Sequence, residues 1–398
     1  MFNVKKLFLG RTKLFVISVI LVFFLGFNSC NFTVPSIEKK SSIEIVFDST
    51  SFKGKLYLEK LAPKSTILVD SIICKGTKDL VFNINSKQFP EIYVLRFGLD
   101  QAITLVLDSI SKIEVEINTY PYNSNYIVVG SKSSDLIEQN NTIINKHLDF
   151  FEKKYNEFRN RKRDENFNYY RKQTDSILRE NQIDLYNKLK QSIEHNPKSL
   201  ASLLAIYSKF GTENIFNIDY DFYTYKLLSD SLISTFPNNT HAIYFNNIVK
   251  KKVVDNELKK KREEMLDKGY KYPDIKLMDL NNKLFDIKTI KADIIAVYLW
   301  KSKYKAFWDN NVKLRELYKK YDRKKLEIIG ISFEKDKLSW SNYCRMEKMN
   351  WINLISGPEN LDIINPNDIY PRIFVLDKNF NILAKDATIE ELELILKK

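Results

Sequence analysis

The sequence contains few cysteines and few glycines. Of its 398 residues, three are cysteine and ten are glycine. If Cys30 is modified as argued below, only Cys74 and Cys344 remain, 270 residues apart. We expect two isolated, buried thiols, and a disulfide between them is the alternative. The low glycine content, beside abundant Asn, Lys, Ile, Tyr and Phe, indicates genomic base composition rather than function.

Histidine is equally scarce, and its placement excludes a compact metal motif. The three histidines are His147, His195 and His241, at intervals of 48 and 46 residues. Structural zinc sites draw their ligands from closely spaced histidines and cysteines. We therefore predict no metal site and no cofactor, and we expect each histidine to be an ordinary helix or loop residue.

The N-terminal apolar run is shorter than a typical membrane-spanning helix. Residues 14–27 form an uncharged, mainly apolar run of 14 residues, whereas a spanning helix needs about 20. Four basic residues precede it, at positions 5, 6, 11 and 13. A positive segment followed by a short apolar one is typical of a signal peptide, which we assign to residues 1–29.

The end of this segment resembles the lipobox recognised by lipoprotein signal peptidase. Ser29, a small residue, directly precedes Cys30, although Phe27 stands where a lipobox more often has Leu. The resemblance implies that Cys30 becomes the diacylated, palmitate-carrying N-terminus of the mature chain. Residues 31–35 lack the acidic run that directs some lipoproteins to the cell surface. We therefore expect a lipid anchor on the periplasmic face of a membrane, with the outer membrane favoured; an uncleaved N-terminal anchor is the alternative.

The chain is strongly basic. Its net charge is +13, and +9 remains once the four positive charges of residues 1–29 are removed. Such a chain has affinity for anionic surfaces such as lipid headgroups or acidic glycans, and we expect no nucleic acid partner for an exported lipoprotein. With 44% hydrophobic residues, the chain is long enough for two or three domains.

Residues 30–131 are predicted to form an all-β domain. Eight short segments rich in β-branched residues follow one another between turn residues. They are 43–47, 55–58, 66–69, 80–84, 92–97, 103–107, 113–117 and 126–129. This spacing indicates a sandwich or a meander, and it resembles the small N-terminal β-domain found ahead of thioredoxin-like domains in bacterial lipoproteins.

Residues 132–268 change to helical periodicity. Apolar residues such as Ile144, Leu148 and Phe151 recur largely at spacings of three and four. Basic side chains concentrate in three stretches. These are 159–163, 250–252 and 259–262. For 159–163 a solvated helix face is the simpler explanation, and contact with an anionic lipid or polymer is the alternative. The two later stretches alternate with Glu257, Glu263 and Glu264 at helical spacing, which predicts an exposed connecting helix with ion pairs.

Residues 269–398 alternate between strands and helices in the order β-α-β-α-β-β-α. Hydrophobic strands over 294–300 and 326–332 are each followed by helical spacing. Thr388, with Glu391 three residues later, predicts a capping box at the start of the last helix. Alternation of this kind predicts a sheet covered on both faces. The predicted fold class is α+β multidomain: an all-β domain, a helical middle and a C-terminal α/β domain.

Residues 294–308 resemble the active-site strand and turn of the thioredoxin-like TlpA/ResA group. Members of this family carry Trp-x-x-Trp-Cys-x-x-Cys after the strand. Trp300 aligns with the first Trp of that motif and Lys303 with the second. Tyr304 and Phe307 align with the two cysteines.

Two further positions extend the resemblance. Tyr370 and Pro371 fall where the family has its cis-proline loop, which lies against the active site and presents backbone groups to a bound peptide. Tyr298 stands where some thioredoxins have an acid that helps to move protons. The resemblance implies a thioredoxin-like domain over residues 269–398 whose CxxC motif is lost.

Tyrosine and phenylalanine cannot replace the two cysteines chemically. Thiol-disulfide exchange needs a thiolate to attack and a second sulfur to resolve the mixed disulfide. We therefore predict no catalytic residue and a domain that acts in binding or scaffolding. The expected aromatic patch, edged by lysines, contains Trp300, Tyr304, Phe307, Trp308, Tyr370 and Pro371. Such a patch suits an extended peptide or a sugar polymer; alternatively, the rings only fill the space of the sulfur site.

Three functions follow from these patterns. The leading one is a membrane-anchored periplasmic lipoprotein that uses a redox-inactive thioredoxin-like domain to bind a peptide or envelope protein. The second is a thiol-disulfide oxidoreductase that uses Cys344 or a partner's cysteine, although Cys344 has no resolving cysteine and lies far along the chain from the turn. The third is an envelope glycan-binding or anionic-polymer-binding module that relies on the basic helices.

Overall fold

The structure is a computed structural model. The chain divides into two compact units, Met1–Lys251 and Lys252–Lys398. It describes residues 39–47, 52–76, 78–86, 89–98, 101–109, 112–118, 120–123, 126–161 and 164–398. The signal peptide and the lipidation site Cys30 lie outside the described residues, as do two members of the first basic stretch, Lys162 and Arg163. The predicted domain limits at 131 and 268 stay predictions.

The first unit begins with two four-stranded sheets, so its N-terminal part is rich in sheet, as predicted. The strands are β1 (Lys39–Phe47), β2 (Lys53–Ala62), β3 (Ser65–Lys75), β4 (Asp79–Ser86), β5 (Glu91–Phe97), β6 (Gln101–Leu107), β7 (Lys112–Ile117) and β8 (Tyr126–Val129). One sheet has the order β4-β1-β7-β8 and the other β3-β2-β5-β6. Buried side chains of both sheets form one hydrophobic core, which makes this region a sandwich.

Alternation along the strands builds this core. In β4, Leu80, Phe82 and Ile84 are buried while the residues between them are exposed, so one face of the strand points towards the other sheet. Strand β5 is buried on both faces. Leu95 packs between the sheets, whereas Ile92 packs with the helices of the same unit.

Helices follow the sandwich. They are α1 (Lys132–Arg159), α2 (Phe167–His195), α3 (Leu200–Ile206), α4 (Phe222–Thr235) and α5 (Thr240–Glu264). On α2, Leu185, Leu189 and Ile193 recur every four residues and are buried in the helical core. A small ladder of β9 (Lys209–Phe210) and β10 (Glu213–Asn214) was not predicted, because two-residue strands carry no periodicity.

The second unit is built on one seven-stranded sheet. Its strands are β11 (Lys276–Asp279), β12 (Leu284–Asp286), β13 (Ile294–Trp300), β14 (Leu326–Ser332), β15 (Ile352–Ile355), β16 (Arg372–Asp377) and β17 (Ile382–Ala384). Their order is β12-β11-β15-β14-β13-β16-β17. The helices are α6 (Lys305–Lys320), α7 (Lys337–Met346), α8 (Leu361–Ile364) and α9 (Ile389–Leu396).

The central strand β13 is buried along its whole length. Tyr298 and Trp300 face a core that contains residues of α6, α7 and α9, whereas Val297 and Leu299 face the core on the other side of the sheet. The sheet is therefore covered on both faces, as the alternation of strands and helices predicted.

The predicted order of elements was wrong between α7 and β16. It omitted β15, which pairs with β14 and β11, and the four-residue helix α8. Both elements have only four residues, too few to show a period in the sequence. The start of α9 agrees with the prediction, because Thr388 Oγ1 accepts a hydrogen bond from the Glu391 backbone N–H at 3.0 Å. No helix among the described residues is both long and apolar enough to cross a membrane.

Candidate functional site

The turn between β13 and α6 forms the centre of the candidate site. Trp300 ends the strand and Phe307 lies in the first turn of the helix, and both side chains are completely buried. Their rings stack with centroids 4.4 Å apart and planes 20° apart. Of the two interpretations of the patch, the burial of Trp300 and Phe307 agrees with the one in which the rings fill the space of the sulfur site, and it leaves Trp300 inaccessible for the possible binding role. Both rings fill the core beneath α6, because burial removes their apolar surface from water.

Tyr304 and Tyr370 form the outer layer of the site. Tyr304 precedes α6 and is partly exposed, while Tyr370 is 9% exposed. Their rings stack with centroids 6.0 Å apart, and Phe333 packs against Tyr370 at 5.5 Å. Tyr370 is thus mainly a packing residue, and Tyr304 presents the more accessible ring of this pair.

Two lysines lie over these rings. Lys301 Nζ is 4.2 Å from the ring centroid of Tyr370 and 2.8 Å from Asp368 Oδ1. Lys303 Nζ is 4.9 Å from the ring centroid of Tyr304. Burial, followed by the negative charge of Asp368, raises the pKa of Tyr370 above its ordinary value. The Tyr370 phenol therefore stays neutral and cannot act as a base near neutral pH.

The loop before β16 is held by its own side chains. Asn365 is fully buried, donates to the Ile369 carbonyl at 2.8 Å and accepts from the Ile369 N–H at 3.2 Å. The Tyr370–Pro371 peptide bond is cis. Asp368 has φ of 53°, a left-handed conformation that aspartate tolerates better than most residues. The Asn365 side chain thus hydrogen-bonds both backbone groups of Ile369.

The Trp308 side chain hydrogen-bonds to the turn between β13 and α6. Its Nε1 donates to the Ser302 carbonyl at 3.0 Å, and the Ser302 N–H donates to Glu334 Oε1 at 2.6 Å. The Trp308 ring packs edge-on against Tyr343 at 5.9 Å and remains partly exposed. Trp308 is therefore the one predicted binding tryptophan that reaches the surface.

Sequence reasoning missed a buried arginine directly after Pro371. The side chain of Arg372 is completely buried and forms ion pairs with Glu263 and Asp386. It also donates to Asn365 Oδ1 at 3.3 Å, which ties it to the loop before β16. The sequence signal for this residue is an arginine directly before the four apolar residues of the strand.

Both described cysteines are buried and unpaired, which confirms the prediction of isolated thiols. Cys344 lies on α7, is 4% exposed, and has its pKa raised by burial to about 12. Burial likewise raises the pKa of Cys74 in the first unit. A nucleophilic cysteine needs an accessible thiolate, and neither side chain supplies one near neutral pH.

The histidines make ordinary hydrogen bonds. His147 Nδ1 is 2.7 Å from Asn181 Oδ1, His195 Nδ1 is 2.9 Å from the Gln191 carbonyl, and His241 Nε2 is 2.9 Å from the Leu61 carbonyl. Within the described part of the chain, no group of three or more His, Cys, Asp or Glu side chains is arranged to hold a metal ion.

A family model described as Thioredoxin-like matches residues 292–382, which contain the turn and the loop described above. The second unit therefore carries a thioredoxin-like domain. Homology extends to the thiol-disulfide oxidoreductase ResA of Bacillus thuringiensis subsp. konkukian, which is 24% identical over 141 residues, or 34% of this chain and 81% of that protein. The ResA protein of Bacillus cereus matches equally well.

Solved structures were matched over a similar part of the chain. The thioredoxin domain of a thiol-disulfide oxidoreductase from Bacteroides vulgatus is 19% identical, covers 33% of this chain and 96% of its own, and has a TM-score of 0.31. A thiol-disulfide oxidoreductase from Bacteroides fragilis is 20% identical, covers 32% of this chain and 97% of its own, and has a TM-score of 0.30.

The thioredoxin-like domain of this chain has no pair of cysteines. Cys344 is the single cysteine between residues 292 and 382, and no two cysteines in the sequence are separated by two residues. The arrangement around Tyr304 supplies aromatic rings, lysine side chains and the backbone of the loop before β16. These groups can bind a ligand, but they provide no sulfur for disulfide exchange.

Proposed function

We propose that this protein is a lipid-anchored envelope protein whose thioredoxin-like domain binds a partner and does not exchange disulfides. The observation that carries the proposal is the Tyr304 and Phe307 pair at the turn, with Phe307 completely buried against Trp300. The single cysteine of the domain, Cys344, is buried and has a pKa near 12. Cys30 would anchor the chain on the periplasmic face of the outer membrane.

The binding surface we propose consists of the groups that remain accessible around the turn. Tyr304 and Trp308 are partly exposed, and Lys303 and Lys305 are exposed beside them. Aromatic rings with polar edges bind peptide backbone and side chains well, and the lysines favour acidic residues through charge complementarity. We therefore propose an extended, acidic peptide segment of an envelope protein as the ligand.

Redox inactivity is tested with an insulin-reduction assay on the full chain. We expect no turnover above the reductant alone, and the Cys344→Ala variant should behave identically. Turnover that disappears in Cys344→Ala would contradict the proposal and would assign the chemistry to that thiol.

Peptide binding is tested by fluorescence anisotropy with a labelled, unstructured acidic peptide. Lys303→Glu with Lys305→Glu should weaken binding several-fold, because two attractive charges become repulsive. Lys319→Glu with Lys324→Glu, at two exposed lysines at the far end of α6 and before β14, is the control with the same change of net charge and should bind like the parent. Equal affinity in all variants would rule out this surface.

The second candidate is an oxidoreductase that borrows a partner's cysteine. It is favoured by the homology to thiol-disulfide oxidoreductases. It predicts a mixed disulfide to Cys344 on non-reducing gels after thiols are blocked in cells. The burial of that side chain at 4% exposure weighs against this candidate.

A further inference from the structure

The proposed lipid anchor keeps the end of the sandwich that carries the start of β1 within reach of the membrane. This inference rests on the proposed lipidation of Cys30, which lies nine residues before Lys39, the first residue of β1. An extended chain spans at most about 3.6 Å per residue. The start of β1 is therefore held within roughly 30 Å of the lipid surface.

Strand register identifies what else lies at that end. Lys39 pairs with Ser86 at the end of β4, and β4 leads to the start of β5. Near that start Tyr93 pairs with Lys60, close to the end of β2. The turn between β2 and β3, which contains Lys64, is therefore at the same end of the sandwich as the start of β1.

Hydrogen bonds bring the beginning of α5 to the same end. Asn239 Nδ2 donates to the Pro90 carbonyl at 2.7 Å, and His241 Nε2 is 2.9 Å from the Leu61 carbonyl. The start of α5 thus packs beside the β2–β3 turn and the segment before β5.

An open cavity of about 400 Å³ lies between this turn and α5. Pro63, Lys64, Ile243 and Tyr244 are among the residues that line it. Ile243 is 39% exposed and Tyr244 is 36% exposed, and Lys64 Nζ is 5.6 Å from the Tyr244 ring centroid. Exposed apolar, aromatic and cationic groups are therefore adjacent here, a combination that is common at membrane interfaces.

The beginnings of α1 and α3 add two more lysines. The Ser131 hydroxyl donates to the Val106 carbonyl at 2.6 Å near the end of β6, and Ser133 and Ser199 hydroxyls are 2.9 Å apart. Lys132 and Lys198, each adjacent to one of these serines, are exposed at this end.

Some charged side chains at this end form ion pairs and others do not. Glu91 is paired with Lys60, and Glu44 with Lys112. Asp108 accepts hydrogen bonds from the Ser133 hydroxyl and the Ser133 N–H, and Asp135 accepts one from the Gln139 amide, so both carboxylates keep their negative charge. By contrast, Lys64, Lys132 and Lys198 form no ion pair with any residue that the structure describes. These three exposed cations therefore exceed, by one charge, the two carboxylates of Asp108 and Asp135 that have no cationic partner among the described residues.

We propose that this end of the sandwich rests on the membrane and binds anionic phospholipid headgroups. We call it the tether face and define it by Lys64, Lys132, Lys198, Ile243 and Tyr244. The short tether holds it close to lipid, the free lysines match anionic headgroups, and the aromatic and apolar side chains suit the interfacial layer. The anchor and the tether face together would fix the orientation of the first unit.

Lysine footprinting on vesicles tests this proposal. The full lipidated chain is added to preformed vesicles of phosphatidylcholine, with or without phosphatidylglycerol, and acetylated with a membrane-impermeant reagent. Mass spectrometry then compares the three tether-face lysines with Lys53 and Lys78, which are exposed at the opposite end of the sandwich. On anionic vesicles, acetylation of the tether-face lysines should fall several-fold while that of the two control lysines stays unchanged.

Three results would overturn the proposal. Equal acetylation of all five lysines would contradict the proposed orientation. Equal protection on neutral vesicles would show that anionic headgroups are not recognised. Protection by soluble heparin without vesicles, to the same extent, would assign the face to an anionic polymer. The fraction of chain bound to vesicles is measured in parallel, so that loss of the anchor itself is recognised separately from a wrongly assigned face.

Charge reversal provides a second test. The Lys64→Glu, Lys132→Glu, Lys198→Glu triple variant should stay anchored through its lipid. Acetylation of the other lysines near this end should differ between anionic and neutral vesicles in the parent chain but not in this variant. The Lys53→Glu, Lys75→Glu, Lys78→Glu triple variant, at the opposite end of the sandwich, is the control with the same change of net charge and should keep that difference. A tether-face variant that still distinguishes the two lipids would contradict the proposal.

Discussion

At the scale of single residues, the packing of Phe307 gives the sharpest stability prediction. Because its ring is completely buried against Trp300, Phe307→Ala should lower the free energy of unfolding by about 3–5 kcal/mol. All four tryptophans of the sequence lie in the second unit, so their fluorescence during urea unfolding reports on that unit. Leu338→Ala, at a position that is 76% exposed, is the control and should change the free energy of unfolding by less than about 0.5 kcal/mol.

The thiol of Cys344 gives a prediction about pH. Burial raises its pKa to about 12, so the folded state keeps the proton that an unfolded chain releases near its ordinary value of 9.0. Iodoacetamide should therefore leave native Cys344 almost unmodified between pH 7 and 9 and modify it fully in urea, as read by mass spectrometry. Met346→Cys supplies an exposed thiol on the same helix and should react in the native state. Rapid native modification of Cys344 at pH 8 would show an accessible thiolate.

Sequence alone located the turn and its residues but could not assign their exposure. Tyr304 and Phe307 are both aromatic, and no local pattern distinguishes the partly exposed ring from the buried one. Burial of Phe307 depends on Trp300 and on the core beneath α6, which are tertiary contacts. The same tertiary contacts place Trp300, a possible binding residue from sequence, in the core.

At the scale of secondary-structure elements, Arg372 joins α5 to the strand that follows the proline loop. Its guanidinium is fully buried between Glu263 of α5 and Asp386. Glu263→Gln should lower the free energy of unfolding of the second unit by on the order of 3 kcal/mol, because the buried cation loses a charged partner. Glu264→Gln, on the neighbouring and more exposed carboxylate with only a 4.0 Å contact to Lys260, should have little effect.

Acid titration checks the same link. Hydrogen bonds from Arg372 and Lys385 hold the pKa of Glu263 below its ordinary value of 4.5, against the opposing effect of burial. A carboxylate with a lowered pKa stabilises the folded state above its unfolded value, and this contribution is lost as pH falls through the folded value. The stability difference between parent and Glu263→Gln should therefore be constant near neutral pH and shrink below about pH 4.5. A difference that does not change on acidification would show that the charge of Glu263 is not involved.

Elements with a clear period were predictable, and short ones were not. The alternation of β4 and the apolar run of β13 identified both strands from sequence. β15 has four residues and takes its place from pairing with β14 and β11, which no local pattern encodes. The anchor at Arg372 was missed for a related reason, since its partners lie 109 and 14 residues away.

At the scale of the whole molecule, lipidation of Cys30 gives a prediction independent of the fold. In a Gram-negative host, the parent chain should incorporate labelled palmitate and fractionate with the outer membrane, because two or three acyl chains anchor a protein firmly. Cys30→Ser should abolish the label, since the modified sulfur is gone. Cys344→Ser, which changes a cysteine buried in the second unit, is the control and should keep both label and location. Palmitate retained in Cys30→Ser would place the acylation elsewhere, and membrane association without any label would favour an uncleaved N-terminal anchor.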